Sequence, residues 1–305
     1  MPQVTRREML QTTLGSAAAL ALGTGLQAEE KPIGQRWKVI TFTKFLHPLG
    51  YEAMADAVAE LGFDGIEAPI RNGGYITPDK VADELPKFVE ALKMRDLTID
   101  VLTSSINSVD SPNAEQTLKV AKELGIPRYR MDYYRYDLKK PILPQLREAG
   151  AKLKDLAAMN AEIGIQAVYQ NHSGDRYVGA PVWDIMQLVK QYDVKHVAMA
   201  LDIGHARVEG GKAWPLHWAL VQPHLGAVYI KDFRWDGAEL NWCSVTEGTL
   251  SDRFFELLKA SEFEGPISLH VEYLHGLKAD EMVAQNLAAQ KRDLAWLRQK
   301  LQGDA

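Results

Sequence analysis

Six stretches of this 305-residue chain end in clustered ionisable or amide side chains, and together they could move a proton beside a carbonyl. They are Gly65-Ile66-Glu67; Arg130 with Asp132 and Tyr134; Tyr169-Gln170-Asn171-His172-Ser173; Leu201-Asp202-Ile203-Gly204-His205; Tyr229-Ile230-Lys231-Asp232; and His270-Val271-Glu272-Tyr273. Side chains alternate between the two faces of an extended chain. His270 therefore shares a side with Glu272, Tyr229 with Lys231, and Gln170 with His172. If those sides converge, the carboxylates Asp202 and Glu272 meet a lysine, several imidazoles and an amide. Each residue alone has a plainer use. Asp202 could cap the turn into Gly204, Lys231 and Asp232 could form a solvated ion pair, and Glu67 or His270 could bond neighbouring backbone. Arrival from several successive segments is what favours chemistry. His217, His224 and His275 fall in helical or loop stretches and read as surface or packing residues.

The elements that carry these groups alternate with few interruptions. Strand-like runs are read at Val39–Phe45, Gly65–Ile70, Thr98–Ser104, Arg128–Tyr133, Gln166–Asn171, Val197–Ile203, Ala227–Phe233 and Ile267–Tyr273. Helical spacing of apolar residues fills Tyr51–Leu61, Pro78–Met94, Ala114–Leu124, Leu143–Ile163, Val182–Tyr192, Trp214–His224, Ser251–Ser261 and Ala279–Leu301. Gly62, Gly125, Gly164 and Gly226 each precede a strand and read as helix-ending residues. Eight strand–helix units predict a single α/β domain, a closed (β/α)8 TIM barrel, with its active site at the carboxyl ends of the strands. No Gly-x-Gly-x-x-Gly turn follows the first strand, which weakens a dinucleotide-binding alternative.

Composition narrows the partners. The chain carries 35 Lys and Arg against 40 Asp and Glu, so it lacks the basic surface that nucleic acid requires. Cys243 is the only cysteine, so a metal would have to be held by oxygen and imidazole. Arg6-Arg7 ahead of the modestly apolar Leu14–Leu26 stretch and Gln27-Ala28 resemble a twin-arginine export signal. Residues 1–28 are thus expected to be a leader and residues 29–305 an exported, periplasmic barrel. The apolar stretch is too short for a confident membrane span, and none is expected in the mature chain. A homo-oligomer is compatible with this reading.

The motifs Gly62-Phe63-Asp64-Gly65-Ile66-Glu67, Tyr169-Gln170-Asn171-His172, Leu201-Asp202-Ile203-Gly204-His205, Ile230-Lys231-Asp232-Phe233 and Leu269-His270-Val271-Glu272 resemble the sugar phosphate isomerase/epimerase family of xylose isomerase-like TIM barrels. Asn171-His172-Ser173-Gly174 and Val208-Glu209-Gly210-Gly211 with Trp214-Pro215 look like an exported subgroup. The resemblance implies a divalent cation (Mn, Mg, Co or Zn) held by Glu, Asp, His and Glu from the fifth to eighth strands. Asp202 and Glu272 match ligand positions, and His205 matches an imidazole that contacts substrate. Gln170 stands where the first Glu is expected and Tyr229 where the His is expected. His172 or His270 could replace a lost ligand, giving Asp202, Glu272 and His270 as a metal set. Without a metal, Lys231 could supply a fixed positive charge.

The implied activity is that of a sugar isomerase or epimerase, which removes a proton next to a carbonyl of a sugar or keto-sugar. Glu272 is then the base, and Lys231 and His205 polarise or protonate oxygen. Glu67, Gln170, Asn171 and His172 are candidate substrate contacts, with Trp214 and Trp235 as rings for stacking on a sugar. Two alternatives remain: a lyase or hydratase acting on oxidised (keto) glycosides, and a sugar-binding pseudoenzyme. Gln170 cannot accept a proton at neutral pH, so one carboxylate base survives, and one base suffices for elimination.

Overall fold

The β-branched runs pair in parallel and close on themselves. The computed structural model describes residues 36–302, so the expected leader lies outside the described residues. Strands β1 (Val39–Phe42), β2 (Gly65–Pro69), β3 (Ile99–Thr103), β4 (Arg128–Arg130), β5 (Gln166–Gln170), β6 (Val197–Asp202) and β7 (Leu225–Ile230) precede a hairpin of β8 (Asp232–Asp236) and β9 (Glu239–Cys243). Strand β10 (Ile267–Leu269) follows, and the barrel order is β1-β10-β7-β6-β5-β4-β3-β2. Between and after the strands run helices α1 (Tyr51–Leu61), α2 (Val81–Lys93), α3 (Ala114–Glu123), α4 (Ile142–Ile163), α5 (Trp183–Val189), α6 (Ile203–Gly210), α7 (Trp214–Val221), α8 (Asp252–Ala260) and α9 (Ala279–Gln302). This is the expected (β/α)8 barrel. The helices bury their apolar faces against the outside of the sheet in one large core, which includes Met54, Phe88, Leu153 and Phe254. A smaller inner cluster of Ile40, Val101, Val168, Ala198, Ala200, Ala227 and Tyr229 fills the barrel. No helix among the described residues is long and apolar enough to cross a membrane.

Three details differ from the sequence reading, each for a local reason. Gly62, Gly125 and Gly164 do adopt positive φ at helix ends, but Gly226 lies inside β7. A Cβ at Gly226 would stand 2.7 Å from Val168 Cγ1 and 2.8 Å from Ala198 Cβ, so glycine is required there by close packing. The expected strand Ala227–Phe233 breaks after Ile230, and the chain turns out into the β8–β9 hairpin. Asp232 holds that turn: it is buried, accepts from Arg207 at 2.8 Å and from the Leu250 amide at 2.6 Å, and is not the solvated partner of Lys231. Finally, Ile203–Gly210 forms a short helix capped by Asp202, whose Oδ1 accepts from the His205 amide at 3.0 Å.

Helix α9 fastens the far side of the mouth. Thr41 donates to Gln290 at 3.0 Å, and Asn286 donates to the Val271 carbonyl at 3.2 Å. Asp293 accepts from Ser244 at 2.6 Å and from the Tyr273 hydroxyl at 2.8 Å. The segment carrying Glu272 and the end of the hairpin are thereby tied to one rigid helix.

Candidate active site

The carboxyl ends of the strands bring the ionisable groups together in a ladder that runs from the barrel interior to the solvent. At its base Glu67 on β2 is fully buried, where an unpaired carboxylate would be costly. Thr103 Oγ1 donates to it at 2.6 Å and Ser268 Oγ at 2.8 Å, Arg130 Nη1 lies 3.1 Å away, and His270 Nε2 lies 2.9 Å away. Burial opposes the charge, but the Arg130 guanidinium and His270 outweigh it and hold Glu67 at a pKa of about 2. Arg130 also donates to Gln170 Oε1 at 2.9 Å and stacks over Phe42 and Tyr229.

One step outward, Gln170 accepts from the Tyr133 hydroxyl and donates through Nε2 to Asp202 Oδ2 at 2.8 Å. Asp202 is fully buried, and Lys231 Nζ lies 3.2 Å from the same oxygen. Against the cost of burial, Lys231 and His205 bring its pKa down to about 2. Lys231 is buried as well, and its Nζ also lies 3.3 Å from Glu272 Oε2 and 4.8 Å from the Trp242 ring centroid. Burial pulls its pKa down, yet the Asp202 and Glu272 charges raise it overall, so it remains an ammonium. Glu272 completes the ladder with Lys44 Nζ at 3.1 Å and His270 Nδ1 at 3.5 Å. Its side chain is 22% exposed, whereas those of Glu67 and Asp202 are sealed, so it is the carboxylate a ligand can reach. Burial works against its charge, but Lys231, His270 and Lys44 depress its pKa well below the ordinary range.

A cleft of about 540 Å³ opens above this ladder, lined by Lys44, Phe45, His172, Ser173, His205, Lys231, Trp242, Glu272 and His275. Its size falls within the range of small-molecule sites. His205 accepts or donates at 2.7 Å to Ser173 Oγ through Nδ1, while its buried Nε2 has no hydrogen-bond partner among the described residues. The His172 ring lies tilted against it with centroids 3.9 Å apart, and Trp242 meets it edge-on. Burial, then the nearby Lys231 charge, lower the pKa of both imidazoles and keep them neutral. The unpartnered Nε2 is sealed from solvent and lies 3.8 Å from Asp202 Oδ2.

Of the sequence candidates, Glu272, Lys231, His205 and His172 line the cleft, and Asp202 and His270 lie directly beneath it. Glu67 and Gln170 are spent on internal partners. Both functions of the Asn171 amide are paired with the Asp202 backbone, at 3.0 and 2.8 Å, so it joins two strand ends. Neither expected tryptophan lines the cleft: Trp214 of α7 packs on Phe254 of α8, and Trp235 projects from the hairpin, 52% exposed. Trp242 holds that position instead. Sequence reasoning also passed over Lys44, Tyr133 and Trp242, and it placed His275 outside the site. Arg130 was visible as a strand-end charge, but nothing in the sequence paired it with Glu67.

The residues present do not fit a divalent cation. Lys231 Nζ lies between the two carboxylates that would hold one, and Gln170 turns a donor toward Asp202 where a ligand oxygen is needed. The Tyr229 hydroxyl is buried without a hydrogen-bond partner among the described residues, and His270 is clasped between Glu67 and Glu272. No three His, Cys, Asp or Glu among the described residues form a group able to hold a metal.

A parallel eight-stranded barrel with a polar cleft at the carboxyl ends of its strands defines an enzyme-type α/β barrel. The chain belongs to the xylose isomerase-like TIM barrel family, which matches residues 55–300. Among solved structures it is similar to a D-psicose 3-epimerase crystallised in the presence of D-fructose (16% identity, TM-score 0.65, covering 87% of this chain and 100% of that one). It is also similar to a 3-keto-D-glucoside 4-epimerase from E. coli (18%, TM-score 0.63, 86% and 99%). A third similar structure is the probable 3-DHS dehydratase of Bacillus anthracis (13%, TM-score 0.63, 82% and 97%). At these identities the likeness shows the fold. Against curated proteins the sequence itself finds no match.

Proposed function

We propose that this protein is a sugar isomerase/epimerase-like enzyme that removes a proton from the carbon next to a carbonyl of a sugar or keto-sugar. The observation that carries the reading is Glu272, the reachable carboxylate of the mouth, set beside a buried ammonium in a polar cleft. The Glu272 carboxylate takes the proton, the C–H electron pair forms the enolate C=C bond, and the carbonyl π pair moves to oxygen. Lys231 Nζ–H and His205 stabilise that oxygen. A proton then returns to the same carbon from the opposite face for epimerisation, or to the former carbonyl carbon for isomerisation. In isomerisation the neighbouring hydroxyl passes its proton to the enolate oxygen and becomes the new carbonyl. In the resting site Lys231 makes Glu272 a weak base. A substrate oxygen that draws the ammonium toward itself removes the largest stabiliser of the carboxylate, so base strength rises as the substrate binds. His172 and Trp242 line the cleft and can contact a sugar ring there.

Incubating keto-sugars with the protein in deuterated water tests the reading. Deuterium is expected at the carbon beside the carbonyl, with Glu272→Gln slowing the exchange by about 10²-fold or more. Exchange at the same rate in Glu272→Gln would sink it. One observation favours a second reading, elimination from a keto-glycoside: Gln170 is an amide committed to Asp202, so the mouth has one accessible carboxylate base. Release of an aglycone in the same incubation selects it. The likeness of residues 1–28 to a twin-arginine export signal extends the proposal to export, and N-terminal sequencing of the protein from fractionated cells tests that, with an intact leader in the cytoplasm as the refuting result.

A further inference from the structure

We infer that Lys231 takes the place and the charge of a metal ion in this site, so that the barrel works with a built-in cation and does not bind a divalent one. The inference concerns binding and does not depend on the reaction proposed above.

The charge count is the first support. Glu67, Asp202 and Glu272 bring three negative charges to the mouth, and Arg130, Lys231 and Lys44 bring three positive ones, each within 3.3 Å of a carboxylate oxygen. With His270 between Glu67 and Glu272 as a further cation when protonated, the ladder already carries at least as much positive as negative charge. A divalent ion would leave at least two uncompensated positive charges among side chains that are mostly sealed from water, where excess charge is most costly.

Geometry is the second. Metal–oxygen bonds are about 2.0–2.2 Å long, so an ion shared by Asp202 and Glu272 would sit inside the contact radius of the ammonium that already bridges them. Lys231 would have to leave, but its other contacts hold it: Trp242 covers it, and a Cβ at Gly204 would stand 2.9 Å from its Cγ, so the backbone of α6 packs directly on its stem. Gln170 is the third support. Its orientation is set from both ends, with Oε1 accepting from Arg130 and Tyr133 and Nε2 donating to Asp202. Turning its oxygen toward an ion would break all three bonds and set its NH2 against the Arg130 guanidinium.

The test measures metal directly. Protein expressed with manganese, cobalt or zinc supplied and then dialysed is expected to retain below about 0.1 ion per chain by elemental analysis. Its thermal midpoint should not move with EDTA or with added Mn²⁺. Near-stoichiometric retained metal, or a midpoint that falls on chelation and recovers on readdition, overturns the inference. The combined variant Lys231→Met, Gln170→Glu, Tyr229→His exchanges the ammonium for ligands. It is expected to bind Mn²⁺ in titration calorimetry at about one ion per chain and to gain a Mn²⁺-dependent rise in midpoint. A folded triple variant that ignores Mn²⁺ shows that Lys231 does not hold the ion's place and also overturns it. If that variant does not fold, the measurements on the unaltered chain decide.

Discussion

Replacing Arg130 by Met should expose how much of the barrel's stability is committed to one buried charge. Arg130 Nη1 lies 3.1 Å from Glu67 Oε1, with both side chains almost completely sealed. Two unit charges at that distance attract by about 5 kcal/mol at an effective dielectric constant of about 20. Breaking a buried pair from one side costs about 3–5 kcal/mol, because the abandoned charge stays behind. His270 remains beside Glu67 and Thr103 and Ser268 still donate to it, while Gln170 loses a donor and keeps Tyr133. The expected loss is therefore about 3–4 kcal/mol at neutral pH, against a typical total of about 5–15 kcal/mol. Adding Glu67→Gln removes the stranded charge but leaves an amide that the same hydroxyls can serve, and should recover about 2 kcal/mol. Urea unfolding of the two single variants and the double variant measures the coupling. Acid supplies a second signature: in Arg130→Met the Glu67 pKa climbs, so the deficit relative to the unaltered protein should shrink as pH is lowered. A deficit below about 1 kcal/mol, or one that Glu67→Gln deepens, would refute the claim that the pair is a coupled unit.

The same ladder sets the pH dependence of stability. Glu67 and Asp202, with folded pKa values of about 2, contribute stability that is complete above their unfolded values near 4 and is lost as pH falls through about 2. His172 and His205, lowered, contribute stability present above about 6.5 and lost below it. His270, raised by Glu67 and Glu272 despite its burial, contributes stability present below about 6.5 and lost as pH rises through its folded value. Urea midpoints should thus decline gently from pH 7 to 5, where the histidines partly cancel, and steeply from pH 4 to 2; a flat profile below about pH 4 would contradict the assignment. In the cleft, Trp242→Ala should raise KM about 5- to 30-fold with a smaller change in kcat, while Trp214→Ala leaves KM unchanged; equal effects would place the sugar elsewhere.

The architecture was legible because each strand–helix unit carries its own local signal. Tyr51–Leu61 forms as read, and Gly62, Gly125 and Gly164 end their helices at positive φ as helical sterics require. Which strand ends carry chemistry was also legible, since a barrel gathers those ends whatever their sequence separation. The hairpin after β7 was not: Asp232 is drawn inward by Arg207 and Leu250, and only folding brings those partners close. Gly226 looks from sequence like any glycine before a strand, and its reason is Val168 and Ala198 on the nearby strands β5 and β6.

For the site, the sequence alone determined the inventory: Asp202 and Glu272 as carboxylates, His205 three residues after Asp202, Lys231 on the seventh strand's end, and Gln170 and Tyr229 as departures from a metal-binding pattern. Residue type and strand alternation are local properties, and they survive without coordinates. The tertiary structure decided the pairing. It sealed Glu67 with Arg130, left Glu272 reachable, put Trp242 over Lys231 and drew Lys44 in from the first strand's exit. Those contacts join residues up to 228 positions apart, and their energies depend on distance and burial, which a linear chain does not carry.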